Sequence, residues 1–137
     1  MNPLHVIALP LAIAVLSACN RGAVPPEAQP AAERWLALVD QGRYAESWTE
    51  AGARFKELVP SNVWERQLTG VRSPLGALQA RKRTSATPTT KLPGAPDGEY
   101  VVFQFDASFA NKESAVETAT VSKETDGAWR VSGYYIH

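Results

Sequence analysis

The sequence has few of the side chains on which proton-transfer and metal chemistry depend. It contains two histidines, His5 near the start and His137 at the last position, and one cysteine, Cys19. The long stretch between the two histidines therefore offers no imidazole for general base catalysis or metal binding. One cysteine excludes an internal disulfide bond. We expect neither a metal site nor a cofactor.

Familiar catalytic and phosphate-binding motifs are absent as well. There is no Gly-x-Ser-x-Gly segment, and the glycines are scattered at turns rather than gathered in a phosphate loop. Acidic and basic residues balance at 14 each, so the chain lacks the basic footprint of a nucleic-acid-binding protein. The one basic run, residues 81–83, is predicted to be a solvated strand edge. We therefore expect no nucleic-acid partner.

The sequence has no uninterrupted apolar run of the ~20 residues that a membrane span needs. Its longest run, residues 4–18, has the size of the apolar region of a secretory signal peptide. The run ends in Leu16-Ser17-Ala18-Cys19, which resembles the lipobox of bacterial lipoproteins. The resemblance implies that residues 1–18 are removed and that lipid on Cys19 anchors the protein in a membrane. Asn20, in place of Asp, resembles an outer-membrane sorting signal, so we expect the domain to face the periplasm.

Composition predicts one small domain after the anchor. Residues 19–30 hold three prolines and little that can pack, which is typical of a flexible tether. Residues 31–137 are long enough for a single domain with its own core. A helix is predicted from Ala31 to about Asp40, with Gly42 as the left-handed residue past its end. Tyr44 begins a second helix.

Two more helical segments follow. Phe55 to Val59 continues or restarts the second helix, and Pro60 ends it. A further helix is predicted from Ser61 or Asn62 to Gly70, since Asn62 and Glu65 have the spacing of a capping box.

The last forty residues predict a three-stranded antiparallel meander. Residues 100–109 alternate apolar and polar side chains, as a strand with one buried face does. A more polar strand is predicted over residues 115–124, and a third follows the Asp126-Gly127 turn. Residues 77–87 are predicted to form a weaker strand, and residues 88–98 a loop. The fold class is therefore α+β, with N-terminal helices packed on a curved antiparallel sheet of about four strands.

Two resemblances extend this interpretation. The helical pair from Trp35 to Trp48 resembles the opening of nuclear transport factor 2-like domains, and the overall plan is also similar to cystatin-like folds. An ordered set of motifs over roughly residues 32–136 resembles the bacterial domain-of-unknown-function 4019 family. These motifs are Val63-Trp64, Arg72–Gly76, Leu92–Phe105, Glu117-Thr118 and Asp126–Tyr135. The first resemblance implies a cone-shaped sheet with a pocket, and the second implies no activity.

Carboxylates are the remaining candidates for chemistry. Cone-shaped relatives that are isomerases or dehydratases place a histidine or a carboxylate in the pocket as general base. We expect Asp40 to stabilise the helix turn at Gly42. Glu117 shares strand parity with apolar residues, so we expect it to point inward and to pair with Arg72 or Arg81. A catalytic base at Glu117 or Asp40 is the alternative.

Aromatic residues supply candidates for binding. The four tryptophans are expected to pack in the core, and a ligand pocket lined by Trp and Tyr is the alternative. Of the adjacent Tyr134 and Tyr135, one must face away from the core and is a candidate contact for a partner. The candidate pocket or structural residues are Trp35, Asp40, Tyr44, Trp48, Trp64, Arg72, Glu117, Trp129 and Tyr135.

The sequence thus predicts a lipid-anchored envelope protein with a non-catalytic binding or scaffolding domain. Its partner would be a small molecule or an envelope protein. One alternative is a pocket enzyme of the isomerase or dehydratase kind. Another is an inhibitor of an envelope enzyme that acts through the loop at residues 88–98.

Overall fold

The computed structural model describes residues 22–137, so the predicted signal peptide and Cys19 lie outside the described residues. Helices precede strands and pack on a curved antiparallel sheet, which confirms the predicted α+β class. The helices are α1 (Ala28–Asp40), α2 (Tyr44–Thr49), α3 (Ala53–Leu58) and α4 (Ser61–Arg72), followed by a 3-10 turn (Ser73–Leu75). The strands are β1 (Leu78–Thr89), β2 (Tyr100–Phe109), β3 (Lys112–Lys123) and β4 (Trp129–Ile136). Within residues 22–137, no helix combines the length and apolar character needed to cross a membrane.

Helix α1 begins at Ala28 rather than at the predicted Ala31, so helical structure starts within the segment 19–30 that was predicted to be a tether. Ala28 is fully buried and Val24 packs against the core, and this burial draws the first turn into the domain. Pro30 is tolerated there because the first-turn N–H groups of a helix have no helical acceptor. The other end follows the prediction: Gly42 has a φ of 74°, and the N–H of Arg43 donates to the carbonyl of Leu38 at 2.9 Å.

Helix α4 departs from the prediction at both ends. Pro60 holds the N-cap position and no side chain within the described part of the chain caps the helix, so the predicted capping box of Asn62 and Glu65 is wrong. Glu65 instead accepts a hydrogen bond from the Ser61 hydroxyl at 3.1 Å. The helix also passes through Gly70 and ends at Arg72. An exposed glycine costs a helix only ~1 kcal/mol, which the burial of residues on the inner face can offset.

The sheet has the order β1-β2-β3-β4, so β1 and β4 are its edges. Strand β2 has the predicted bounds, β1 runs two residues further than predicted, and β3 begins at Lys112 rather than at residue 115. The loop between β1 and β2 consequently covers residues 90–99. Alternation along β2 is confirmed, since one parity is buried while Gln104 and Asp106 are exposed. The buried set is Val101, Phe103, Phe105, Ala107 and Phe109.

Two apolar clusters fill the space between the helices and the sheet. The larger one joins α1 and α4 to β2, β3 and β4. The smaller one consists of Ala107, Phe109 and Ala115, with Leu75, Leu78 and Ile136 packed around it. The boundary between the clusters falls between Phe105 and Ala107 on β2. Phe105 pairs with Glu117 across the sheet and Ala107 pairs with Arg81, so charged residues enter the interior at this boundary.

Candidate functional site

Five polar side chains from five different elements meet where the two apolar clusters divide. We call them the ion cluster: Asp40, Arg72, Arg81, Glu117 and Tyr134. Asp40 and Arg72 are the last residues of α1 and α4, and the other three lie on β1, β3 and β4. Two carboxylates face two guanidinium groups, so their formal charges cancel. The cluster connects both long helices to three strands.

Arg81 is the centre of the ion cluster. Its Nη1 and Nη2 donate to the two oxygens of Asp40 at 2.7 and 2.8 Å. Its Nε and Nη2 donate to the two oxygens of Glu117 at 2.7 and 3.1 Å. Burial alone would lower the pKa of Arg81, but the hydrogen bonds and charges of Asp40 and Glu117 outweigh it and raise that pKa. Arg81 therefore holds two carboxylates at once, each in a bidentate geometry.

Glu117 is fully buried and accepts a third hydrogen bond, from the Tyr134 hydroxyl at 2.5 Å. Burial, together with the charge and hydrogen bond of Glu117, raises the pKa of Tyr134 far above its usual value. The phenol consequently stays neutral and serves as a donor. The ring of Tyr134 lies 5.3 Å from that of Trp35, which connects the ion cluster to the main core.

Arg72 is less completely bonded. Its Nη2 donates to Asp40 Oδ1 at 3.0 Å, and its guanidinium carbon lies 4.8 Å from the centre of the Phe109 ring. Nε and Nη1 are buried without a hydrogen-bond partner among the described residues. A cation over an aromatic face offsets part of the lost solvation.

Two expectations about these residues need correction. Asp40 was expected to stabilise the helix turn at Gly42, but its carboxylate binds the two arginines and the turn is held by backbone hydrogen bonds. Residues 81–83 were expected to be a solvated edge. Lys82 and Arg83 are exposed, but Arg81 points into the domain. Successive side chains of a strand point to opposite faces of the sheet. Three consecutive basic residues therefore cannot all point to the solvent-facing side.

Three of the tryptophans hold the helices together. The indole N–H of Trp35 donates to the carbonyl of Ser47 at 2.8 Å, and that of Trp64 donates to the Ser47 hydroxyl at 3.0 Å. Trp48 donates to the carbonyl of Val59 at 2.6 Å. Ser47, fully buried, is a structural centre that sequence reasoning missed, because nothing in its local pattern distinguishes it from a solvated helix serine. These contacts are those of core residues.

The other candidate aromatics lie at the surface of the core. Tyr44 and Trp129 are partly buried and pack against the main cluster. Trp129 also lines a groove of about 410 Å3 between α1, α2 and the start of β4. Tyr135 is 58 % exposed, whereas its neighbour Tyr134 faces inward. The sequence analysis does not predict the hydrogen bond from Tyr134 to Glu117, although both residues lie on the inner face of neighbouring strands.

Among the other surface depressions of residues 22–137, two bear on the predictions. The larger one, about 610 Å3, lies between α3 and the loop at residues 90–99, and the exposed Leu58 lines it. This loop includes most of the predicted inhibitory segment, and it is held by a hydrogen bond from Tyr100 to Pro96 and one from Gly98 to Thr90. The smaller depression, about 250 Å3, lies between α4 and β4. Among residues 22–137, no group of three or more His, Cys, Asp or Glu is placed to hold a metal ion.

Comparison with known proteins gives one informative match. The family model described as "Protein of unknown function (DUF4019)" matches residues 31–134. This range begins inside α1, ends in β4 and includes every member of the ion cluster. None of the curated proteins compared with the chain matches it.

Proposed function

The chain belongs to the DUF4019 family, and from this premise we propose that it is a lipid-anchored protein of the bacterial cell envelope whose domain binds a partner without catalysis. In this proposal, lipid on Cys19 holds the protein in the outer membrane and the domain faces the periplasm. The domain is a variant of the nuclear transport factor 2-like or cystatin-like architecture.

The proposal that the domain is not catalytic rests on the hydrogen bonds that its two interior carboxylates accept. A general base needs a lone pair directed at a substrate proton. The oxygens of Glu117 are engaged by three donors, and those of Asp40 are also engaged by three. Both carboxylates are therefore already engaged with side chains of the protein itself. This arrangement favours a structural role over the isomerase or dehydratase alternative.

The position of α1 supports an anchored domain that lies near the bilayer. Val24 packs against the core, so the spacer between a lipid on Cys19 and the folded domain is short. Five peptide links join Cys19 to Val24, and at full extension they span at most ~18 Å. An anchor at Cys19 would thus keep the domain close to the membrane surface, where its partner would be another envelope protein or a small molecule.

Replacement of the cysteine tests the anchor. Cys19→Ser removes the sulfur that receives lipid, so we expect the protein to lose incorporation of labelled palmitate and to move from the membrane to the soluble fraction. Asn20→Asp is the matched control, because it keeps the acylated cysteine and changes only the sorting position. It should retain the label while shifting toward the inner membrane. A Cys19→Ser protein that still pellets with membranes would contradict the proposed anchor.

A further inference from the structure

We propose that the free edge of β4 and the groove beside it bind an extended, uncharged, apolar segment of a partner protein by strand addition. The inference deepens the proposed binding role and rests on it. Its occupant is a peptide whose backbone pairs with β4 and whose apolar side chain enters the groove between α4 and β4.

The backbone of β4 leaves hydrogen-bonding groups open at its end. Val116 and His137 exchange two hydrogen bonds, at 2.8 and 3.1 Å, and the register between β3 and β4 is regular from there to the pair of Thr120 and Gly133. In an antiparallel ladder such bonded pairs alternate with pairs whose N–H and C=O groups point away from the partner strand. Tyr134 and Ile136 are therefore the residues whose backbone groups face the open edge.

The first half of the β4 edge is covered by another segment of the domain. The N–H of Gly52 donates to the carbonyl of Val131 at 2.8 Å, so the connection between α2 and α3 covers the first half of β4. In residues 22–137, no loop or turn hydrogen bond reaches the backbone of Tyr134 or Ile136. The open part of the edge is thus confined to its last few residues.

The two edges of the sheet differ in their protection. β1 carries the exposed charges Lys82 and Arg83, a proline at position 88 and two irregularities in its pairing with β2. Charges, proline and bulges are the devices that keep an edge strand from pairing with another chain. β4 has one irregularity of its own, at Ser132, but from Gly133 to Ile136 its pairing is regular and it has no charge and no proline, so this stretch accepts an added strand.

The adjoining groove is apolar and partly exposed. It holds about 250 Å3 and is lined by Trp64, Leu68 and Val71 from α4, with Gln67 as a polar member, and by residues 134–136 from β4. Val71 is 43 % exposed and Tyr135 is 58 % exposed. Among the described residues, no charged side chain lines the groove, so a charged occupant would lose its hydration without a partner.

Size selects a peptide over the other possible occupants. Small-molecule pockets measure ~300–1,000 Å3 and enclose most of the ligand's surface, whereas this groove holds about 250 Å3 and is open to solvent along one side. A second copy of the chain would need to bury ~800 Å2 on each partner for a stable interface. The few open residues at the end of β4 offer much less. A short segment that gains backbone hydrogen bonds and buries one apolar side chain fits both the edge and the groove.

Selection of displayed peptides tests the inference. The processed protein, purified in mild detergent, is used to select from a library of random nine-residue peptides, and the best sequence is made synthetically. We expect enriched sequences with apolar residues at alternate positions, no charge at their centre and no proline. Hydrogen exchange with mass detection should show at least tenfold slower exchange at residues 134–137 when the peptide is bound.

Two matched substitutions test whether the peptide binds in the groove between α4 and β4. Val71→Lys should weaken binding of the selected peptide at least tenfold, whereas Leu58→Lys, on the more exposed Leu58 at the other depression, should change it less than twofold. Failure to enrich any sequence, protection at residues 90–99 instead, or equal effects of the two lysines would overturn the inference. So would a dimer in sedimentation experiments that Val71→Lys abolishes, since the occupant would then be a second copy. Fractionation of Cys19→Ser tests the anchor independently of these results.

Discussion

Removing the carboxylate of Glu117 distinguishes a structural ion cluster from a functional one. Glu117 is fully buried and receives hydrogen bonds from Arg81 at 2.7 and 3.1 Å and from Tyr134 at 2.5 Å. In Glu117→Ala, Tyr134 loses its acceptor and Arg81 keeps only its bonds to Asp40. Breaking a buried ion pair by removing one partner costs ~3–5 kcal/mol. Since a small domain has ~5–15 kcal/mol in total, we expect a large fraction of the free energy of unfolding to be lost.

Urea unfolding followed by tryptophan fluorescence and by circular dichroism measures this loss, and coincident curves justify a two-state treatment. Glu46→Ala is the matched control, because Glu46 pairs with Arg43 on the surface, where both side chains are about half exposed. Exposed ion pairs contribute ~0–1 kcal/mol. Glu46→Ala should therefore change the free energy of unfolding by no more than this amount.

An isosteric change sharpens the test. Glu117→Gln preserves the side-chain volume but presents an NH2 group toward donors of Arg81 or Tyr134, so we expect a loss of ~1–3 kcal/mol. Residues kept for activity often reduce the stability of the fold, and replacing them then stabilises the protein. If Glu117→Gln or Glu117→Ala proves as stable as the parent or more stable, the structural assignment is wrong and the catalytic alternative returns.

The remaining predictions concern Tyr134 and two glycines. Because the pKa of Tyr134 is raised in the folded state, its contribution to stability is complete below pH ~10 and is lost as the pH rises further. Tyr134→Phe should cost ~1.5–3 kcal/mol at neutral pH and should flatten this alkaline loss of stability, as measured by urea midpoints from pH 8 to pH 12. Gly76→Ala should destabilise the fold by more than Gly42→Ala. Both glycines have a positive φ, but a Cβ at Gly76 would lie 3.0 Å from Ala110, and a Cβ at Gly42 would meet nothing within 4 Å. We expect ~1 kcal/mol for Gly42→Ala and ~2–3 kcal/mol for Gly76→Ala; equal thermal midpoints would contradict this order.

Local patterns predicted most of the secondary structure. The alternation over residues 100–109 and the Asp126-Gly127 turn are complete within a few neighbouring residues, and the structure has the strands that they predict. The predicted helix bounds are wrong where a contact with residues distant in the sequence determines where the helix begins or ends. Ala28 joins α1 because the core covers it, and α4 continues past Gly70 because its inner face packs.

The ion cluster was predictable only in part. Strand parity placed Glu117 on the inner face, and Arg81 was one of two partners considered for it. Asp40 was assigned to its own helix turn, because a carboxylate at a helix end has the same local pattern whether it faces water or an arginine. For Tyr134 and Tyr135 the sequence indicates only that one of the two faces away from the core, not which one, and it does not link Tyr134 to Glu117. The pairing register of β3 and β4 brings Tyr134 to Glu117. This register depends on a bulge in β4 that the sequence pattern does not predict.

Local sequence patterns specify the α+β class, the order of the elements and the inner faces of β2 and β3, because periodicity and turn chemistry act between neighbours. The location in the bacterial cell envelope is also inferred from the sequence, and it stays a prediction. Long-range packing determines which charges meet. Arg81 is 41 residues from Asp40 and 36 residues from Glu117 along the chain. Burying a charge is unfavourable until its partner is in place, so packing of α1 and α4 on the sheet makes the ion cluster and no local segment contains it.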